Sequence, residues 1–271
     1  MTKLDLGDFG VVLNVSADGT HRREAAEMEA LGYGTIWLPG GQLDRLDRLA
    51  ELAATTRSAR VAPAIIPVDV YRPEPVGQLY AELEASAPGR FVAGLGGPQG
   101  PQPLPVLNDY LDRLDVPTAR LLLAALGPRK LELARDRAAG AILLLVTPAY
   151  VGTARALLGD EATLVVDLMV VLDTDADRAR QTARGPLRFL SGVPGYRASF
   201  RRMGFAGDEV ESLSDRLVDD LVIWGDPAKV TERLSQFRDA GADHIALHVR
   251  AADGQPSPPA AARQLATALF S

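Results

Sequence analysis

Short aliphatic runs alternate with longer amphipathic stretches along almost all of this 271-residue chain, and that alternation limits the possible folds more than any single residue does. GVVLNV at 10–15 is followed by HRREAAEMEALG at 21–32, where Ala25, Met28 and Leu31 recur at helical spacing and a glycine ends the pattern. TIWLP (35–39) leads to a helix over 43–55 with Leu46, Leu49 and Leu52 on one face. VAPAIIPV (61–68) precedes PEPVGQLYAELEASAPG, a helix opened by prolines and closed by Pro-Gly. FVAGLGG (91–97) runs into glycines. The second half repeats the pattern. RLLLAAL (120–126) is followed by PRKLELARDRAAG, and AILLLV (141–146) by PAYVGTARALLG. TLVVDLMVVLD (163–173) leads into about seventy mostly helical residues ending in DPAKVTERLSQFRDAG. There Asp226 is placed as N-cap, Pro227 in the first turn and Gly241 as the stop. HIALHV (244–249) is the last strand and PPAAARQLATALF the last helix.

Eight strands, each followed by a helix, with apolar runs that lack clean alternation, describe strands covered on both faces and hence a parallel sheet. Eight such units in 271 residues fit an α/β fold, a single (β/α)8 TIM barrel with a helical insertion after strand seven. The alternative, an open doubly wound sheet, wants a Gly-x-Gly-x-x-Gly turn after its first strand, and the chain reads VSADGT there. No linker divides the chain, so residues 1–271 read as one domain. GPQGPQPLP at 97–105 reads as a loop on the reactive face.

Composition removes whole classes of chemistry. With no cysteine there is no disulfide, no thiolate nucleophile and no Cys-ligated metal. A net charge of −6 argues against a nucleic-acid surface, and no apolar run is long enough to span a bilayer. The N-terminus lacks a basic start followed by an apolar run, so a cytoplasmic protein is expected. His244 and His248 lie four apart on one strand, about 13 Å at 3.3 Å per residue, too far to share an ion. They read as structural histidines, and no metal site is expected.

Barrel enzymes build their reactive face at the C-terminal ends of the strands. That places Pro39 and Gly40 after strand two and Pro67, Asp69 and Tyr71 after strand three. Gly94 and Gly96 end strand four, where missing side chains admit either a flat ligand or close packing. Gly127, Pro128 and Arg129 follow strand five. There a glycine and a proline open a helix bearing two cations, Arg129 and Lys130, an arrangement suited to an anion. Asp167 stands in the middle of an apolar strand and needs either an ion pair or a catalytic role. No strand-end serine has a histidine evidently beside it, so no nucleophilic triad is expected.

Several stretches, in order, resemble the bacterial luciferase-like superfamily of barrel oxidoreductases, in particular its actinobacterial branch dependent on the deazaflavin coenzyme F420. They include EALGYGTIWLPG, PGRFVAGLGG, LAALGPRKLELARDRAAGA, VVLDTDADRAR, VPGYRASFRRMGF, SDRLVDDLVIWGDPAKVTERL and DAGADHIALHV. The resemblance implies a cofactor ring in the barrel mouth, its phosphate near Gly127, Pro128 and Arg129, and a bulge with a cis peptide at 65–69, including Ile66 and Pro67. It also implies a helical cover carrying Tyr196, Arg197 and Phe200 toward the substrate. The implied reaction is hydride transfer between F420 and a small organic substrate, with Asp69, Tyr71 and Asp167 placed by position to handle a proton. Flavin mononucleotide (FMN) with a partner reductase, in a monooxygenase, is the alternative within the family. Relatives carry an acid or histidine where this chain has Leu38, Pro39, Gly40 and Gly41. That departure motivates a third reading, a cofactor-free barrel acting as a binding protein or non-redox enzyme. Superfamily members are commonly dimers, so a homodimer is expected through helices bearing Leu46, Leu49, Val76, Leu79, Tyr80 and Leu83.

Overall fold

Runs of Val, Leu and Ile with no polar alternation pair side by side in one direction, because only a sheet with both faces covered can bury them. The computed structural model describes residues 3–98 and 103–270. In chain order the elements are β1 (Phe9–Val12), α1 (Thr20–Ala30), β2 (Thr35–Pro39), α2 (Asp47–Thr55), β3 (Arg60–Ala64), β4 (Ile66–Pro67), α3 (Pro73–Ser86), β5 (Ala93–Gly96) and α4 (Pro103–Arg113). There follow β6 (Leu121–Ala124), α5 (Pro128–Arg137), β7 (Gly140–Leu144), α6 (Pro148–Leu158), β8 (Thr163–Leu172), α7 (Ala176–Ser191) and α8 (Pro194–Arg202). The chain ends with α9 (Gly207–Ser212), α10 (Asp215–Leu221), β9 (Val222–Gly225), α11 (Pro227–Asp239), β10 (His244–Val249) and α12 (Pro258–Leu269).

The strands pair in the order β3-β2-β1-β10-β8-β7-β6-β5-β4, all parallel. A bridge between Val61 and Phe91 joins the two ends of that path, giving a nearly closed barrel consistent with the (β/α)8 expectation. Three boundaries differ from the sequence reading. β1 stops at Val12 because the backbone N–H of Val15 donates to the Gln42 side chain at 2.7 Å and leaves the sheet. The third strand is split into β3 and β4 around a cis peptide bond, Ala64–Ile65. VIWG, expected within helical sequence, is the strand β9. It pairs with Met169 to Leu172 of β8, on the edge that β7 vacates after Leu144, since β10 holds the other edge.

β8 is ten residues long and buried throughout, against four to six for the other barrel strands that run unbroken. Thr163, Val165 and Asp167 face the barrel interior. Met169 and Val171 continue that face past the rim, where α7, α8 and α10 pack onto it through Ala183, Phe200 and Leu217. These helices form a second core that roofs part of the barrel mouth.

The N-terminal half of the interior is closed. The Trp37 indole N–H donates to His244 Nε2 at 3.0 Å, and His244 Nδ1 donates to the Gly7 carbonyl at 2.7 Å, which assigns the tautomer. The Thr35 hydroxyl donates to the Leu6 carbonyl, and Thr163 Oγ1 accepts from the Leu4 N–H. Gly10 is required here: a Cβ would stand 2.6 Å from the indole nitrogen and 2.7 Å from the imidazole. α11 begins as its sequence predicts, with the Asp226 side chain accepting from the Lys229 N–H at 2.8 Å. The α2 and α3 residues expected to carry a dimer face are turned inward. Leu46, Leu49, Val76, Leu79 and Leu83 are buried and Tyr80 is half-buried, so they offer no apolar face to a second copy.

Candidate functional site in the barrel mouth

The C-terminal strand ends enclose a cavity of about 870 Å³. Its floor is apolar, formed by Ala64 and Ile65 around the cis peptide, Ala124 of β6, and Ile142 and Leu144 of β7. One carboxylate, Asp167, enters this floor. Gly96, Gly97 and Pro98 form one wall together with the start of α4. Residues 99–102 of the loop predicted to lie on this face are outside the described residues. The adjoining wall is the start of α5, and α8 supplies the roof through Pro194, Gly195 and Tyr196.

The α5 wall is cationic. Pro128 opens the helix and Gly127 is its N-cap, with no side chain bonding the first turn. Arg129 is exposed on the rim. Lys130 is half-buried and turned inward, its Nζ reaching 3.6 Å from where a Gly97 Cβ would be. Burial lowers the Lys130 pKa from the ordinary lysine value, and no carboxylate pairs with it among the described residues. Arg202 comes from α8, donates to the Leu126 carbonyl at 2.8 Å and leaves the rest of its guanidinium beside Gly127. Three cations against one carboxylate make this the anion-attracting side of the cavity. Arg202 was missed from sequence because its place depends on a helix that returns from more than seventy residues away.

Of the residues singled out from sequence, Gly96, Gly127, Pro128, Arg129, Lys130, Asp167 and Tyr196 line the cavity. The others stand elsewhere. Asp69 is exposed. Tyr71 donates its hydroxyl to the Leu43 carbonyl at 2.7 Å, tying two loops together. Ile66 is buried in the main core outside the barrel, and Pro67 pairs with Gly96 as part of β4. Pro39 and Gly40 abut the same segment: a Cβ on Gly40 would meet the Ile65 carbonyl oxygen at 2.1 Å. Gly94 would meet the Pro63 carbonyl at 2.2 Å, and Gly96 the Ile65 side chain at 2.3 Å. For these three glycines the Pro63–Ile65 segment takes the vacant space, by its backbone at Gly40 and Gly94 and by the Ile65 side chain at Gly96, so close packing rather than ligand approach explains them. Phe200 is fully buried in the roof core, and Arg197 donates to the Ser191 carbonyl at the end of α7.

Two expectations about histidine are corrected. Ser16 does have a histidine beside it: Ser16 Oγ lies 3.0 Å from His21 Nδ1. The His21 backbone N–H also donates to that hydroxyl, so the serine closes the turn into α1, and neither residue lines the cavity. His248 differs from the structural His244. It is 5% exposed, with Nδ1 3.5 Å from Asp167 Oδ1, and neither ring nitrogen makes a hydrogen bond. Asp167 is not paired with an arginine as expected. Oδ1 accepts no hydrogen bond, and Nε of nearby Arg250 is also unpaired. The Tyr196 pKa is raised by burial and by the charge of Asp167, which keeps its hydroxyl protonated. Among the described residues no group of three potential ligands for a metal ion exists, and no helix is long and apolar enough to cross a membrane.

Residues 17–107 match the family model described as luciferase-like monooxygenase. Solved structures align over nearly the whole chain. An F420-dependent secondary alcohol dehydrogenase in complex with an F420–acetone adduct is 16% identical over 99% of both chains, with a TM-score of 0.70. The coenzyme F420-dependent tetrahydromethanopterin reductase of Methanopyrus kandleri is 16% identical over 97% of this chain and 98% of its own, with a TM-score of 0.74. The oxygenating constituent of 3,6-diketocamphane monooxygenase of Pseudomonas putida, in complex with FMN, is 12% identical over 97% of both chains, with a TM-score of 0.67. No curated protein sequence matches the chain. The resemblance read from sequence is thus matched by the family model over residues 17–107, and the chain shares its barrel fold with these structures.

Proposed function

We propose that this chain is an oxidoreductase that holds the deazaflavin coenzyme F420 in the barrel-mouth cavity and passes a hydride between it and a small organic substrate. The observation that carries the reading is Lys130, a half-buried ammonium with no counter-charge among the described residues, set at the open start of α5 beside an apolar floor. A flat ring fits the Ala64, Ile65, Ala124 and Ile142 surface. A phosphate on the same ligand fits Lys130, Arg202 and the positive dipole end of α5. When bound, the coenzyme supplies two-electron hydride chemistry, and the protein supplies orientation, exclusion of water and a proton route. Fold neighbours that carry F420 or FMN support a flavin-type ligand.

Titrating the pure protein with F420 and, separately, with FMN, and following fluorescence, tests the reading. Saturable F420 binding that Lys130→Met weakens supports it. Tight FMN binding without F420 binding moves the function to the monooxygenase alternative. Failure to bind either coenzyme at high micromolar concentration overturns the redox reading in favour of a cofactor-free barrel.

A further inference from the structure

Asp167, His248 and Arg250 form a cluster that the fold leaves unsatisfied. Four of their polar atoms are buried without a hydrogen bond: Asp167 Oδ1, both ring nitrogens of His248, and Arg250 Nε. Each such group costs about 1–3 kcal/mol unless something else pairs it. The cluster sits where β8 and β10 run side by side, with Asp167 opposite Ala246 and His248 opposite Met169, so His248 stands one layer nearer the rim. Asp167 reaches the cavity floor, and Tyr196 lines the same space from the roof.

We propose that Asp167 is the proton acceptor of this cavity, acting on the hydroxyl of an alcohol substrate, and that His248 is the positioning residue behind it. The proposal rests on the oxidoreductase reading. A carboxylate offers only acceptors, so the ligand group that satisfies it must be a donor. The Tyr196 O–H is a donor, so the same ligand group must also accept. A hydroxyl does both. A ketone leaves Asp167 unpaired, and a carboxylate is repelled by it. Oxidation of such an alcohol removes the carbinol C–H as hydride, taken by the oxidised deazaflavin. The O–H bond of the same carbinol breaks, its proton goes to the Asp167 carboxylate, and the electron pair left on oxygen closes the C=O bond. In the reverse direction the carboxyl returns that proton to the carbonyl oxygen. His248 touches Asp167 alone in this scheme and fixes which oxygen faces the cavity.

The chain's three histidines make the test direct by NMR of the imidazole rings in the coenzyme-free protein. Cyclohexanol, cyclohexanone and cyclohexanecarboxylate serve as probes. Cyclohexanol is expected to shift the His248 signals more than the other two, and Asp167→Asn to abolish the difference. With F420 bound, Asp167→Asn is expected to lower kcat for alcohol oxidation about a hundredfold or more, while the affinity for F420 stays within about threefold (roughly 0.65 kcal/mol). His248→Ala is expected to lower kcat about tenfold with KM unchanged, and His248→Gln to restore part of it. Equal His248 shifts with all three probes, or parental turnover in Asp167→Asn with F420 bound, overturns the proposal. Loss of F420 binding in the parent instead condemns the oxidoreductase reading, and the probe comparison still judges the subsite.

Discussion

His244 and His248 lie on one strand, face the same interior and are two layers apart, yet their surroundings are opposite. His244 has both ring nitrogens bonded, to Trp37 and to the Gly7 carbonyl, while His248 has neither bonded. The contrast extends to the halves of the barrel they occupy. In the lower half Thr35 and Thr163 are paired, and Trp37 fills the centre. In the upper half Asp167, His248 and Arg250 carry unpaired groups, and Asp167 lines the cavity. Buried polar groups in native proteins are normally satisfied, so four unpaired atoms clustered behind a cavity-lining carboxylate set this half apart from the lower one. The lower half uses polar groups to specify the fold, and in the proposed function the upper half holds them for chemistry.

The largest effect expected from breaking this contrast lies in the lower half. Trp37→Ala removes the central side chain and orphans His244 Nε2, and denaturant unfolding should show a loss of about 3–5 kcal/mol. In the upper half, Lys130→Met should leave stability near the parent value and weaken binding of F420 roughly ten- to a hundredfold in a fluorescence titration, equivalent to about 1.4–2.8 kcal/mol. Arg129→Ala, on the exposed rim, should weaken it less. Acid exposes the difference on a smaller scale. Burial lowers the His244 pKa from 6.5 to about 4. The unfolded chain therefore takes up this proton first. The contribution is complete above pH 6.5 and is lost as pH falls toward 4, with a slope of up to about 1.4 kcal/mol per pH unit. His244→Gln should flatten that part of the stability profile. The smallest effect belongs to Tyr71→Phe. It should cost about 0.5–1.5 kcal/mol for the bond to Leu43 and leave F420 affinity unchanged.

Sequence periodicity made the barrel legible because β/α alternation and helix punctuation are local. The Asp226 cap and the limits of β10 emerge where the sequence puts them. The α5 start was also legible, since Gly-Pro followed by cations is a contiguous signal. What escaped depends on long-range placement. Lys130 rather than Arg129 turns inward, Arg202 arrives from the roof, and Ile65 fills the space beside Gly40 and Gly96. Phe200 was read as a substrate contact, but its helix buries that face against Met169 and Leu217. Aromatic residues on a covering helix do not reveal from sequence which side meets the cavity. His248 gave no signal either, because a buried histidine with partners and one without look identical in a strand of apolar residues.

The most direct test sets the two histidines against each other. His244→Leu and His248→Leu make the same chemical change on the same strand, and denaturant unfolding of each without ligand measures what the fold draws from that side chain. His244→Leu should lose about 2–4 kcal/mol, since it strands the Trp37 N–H and the Gly7 carbonyl. His248→Leu should come close to the parent, since it removes two unpaired polar atoms and breaks no hydrogen bond. Equal losses in the two variants would contradict the division of the barrel into a half that holds the fold and a half that awaits a ligand.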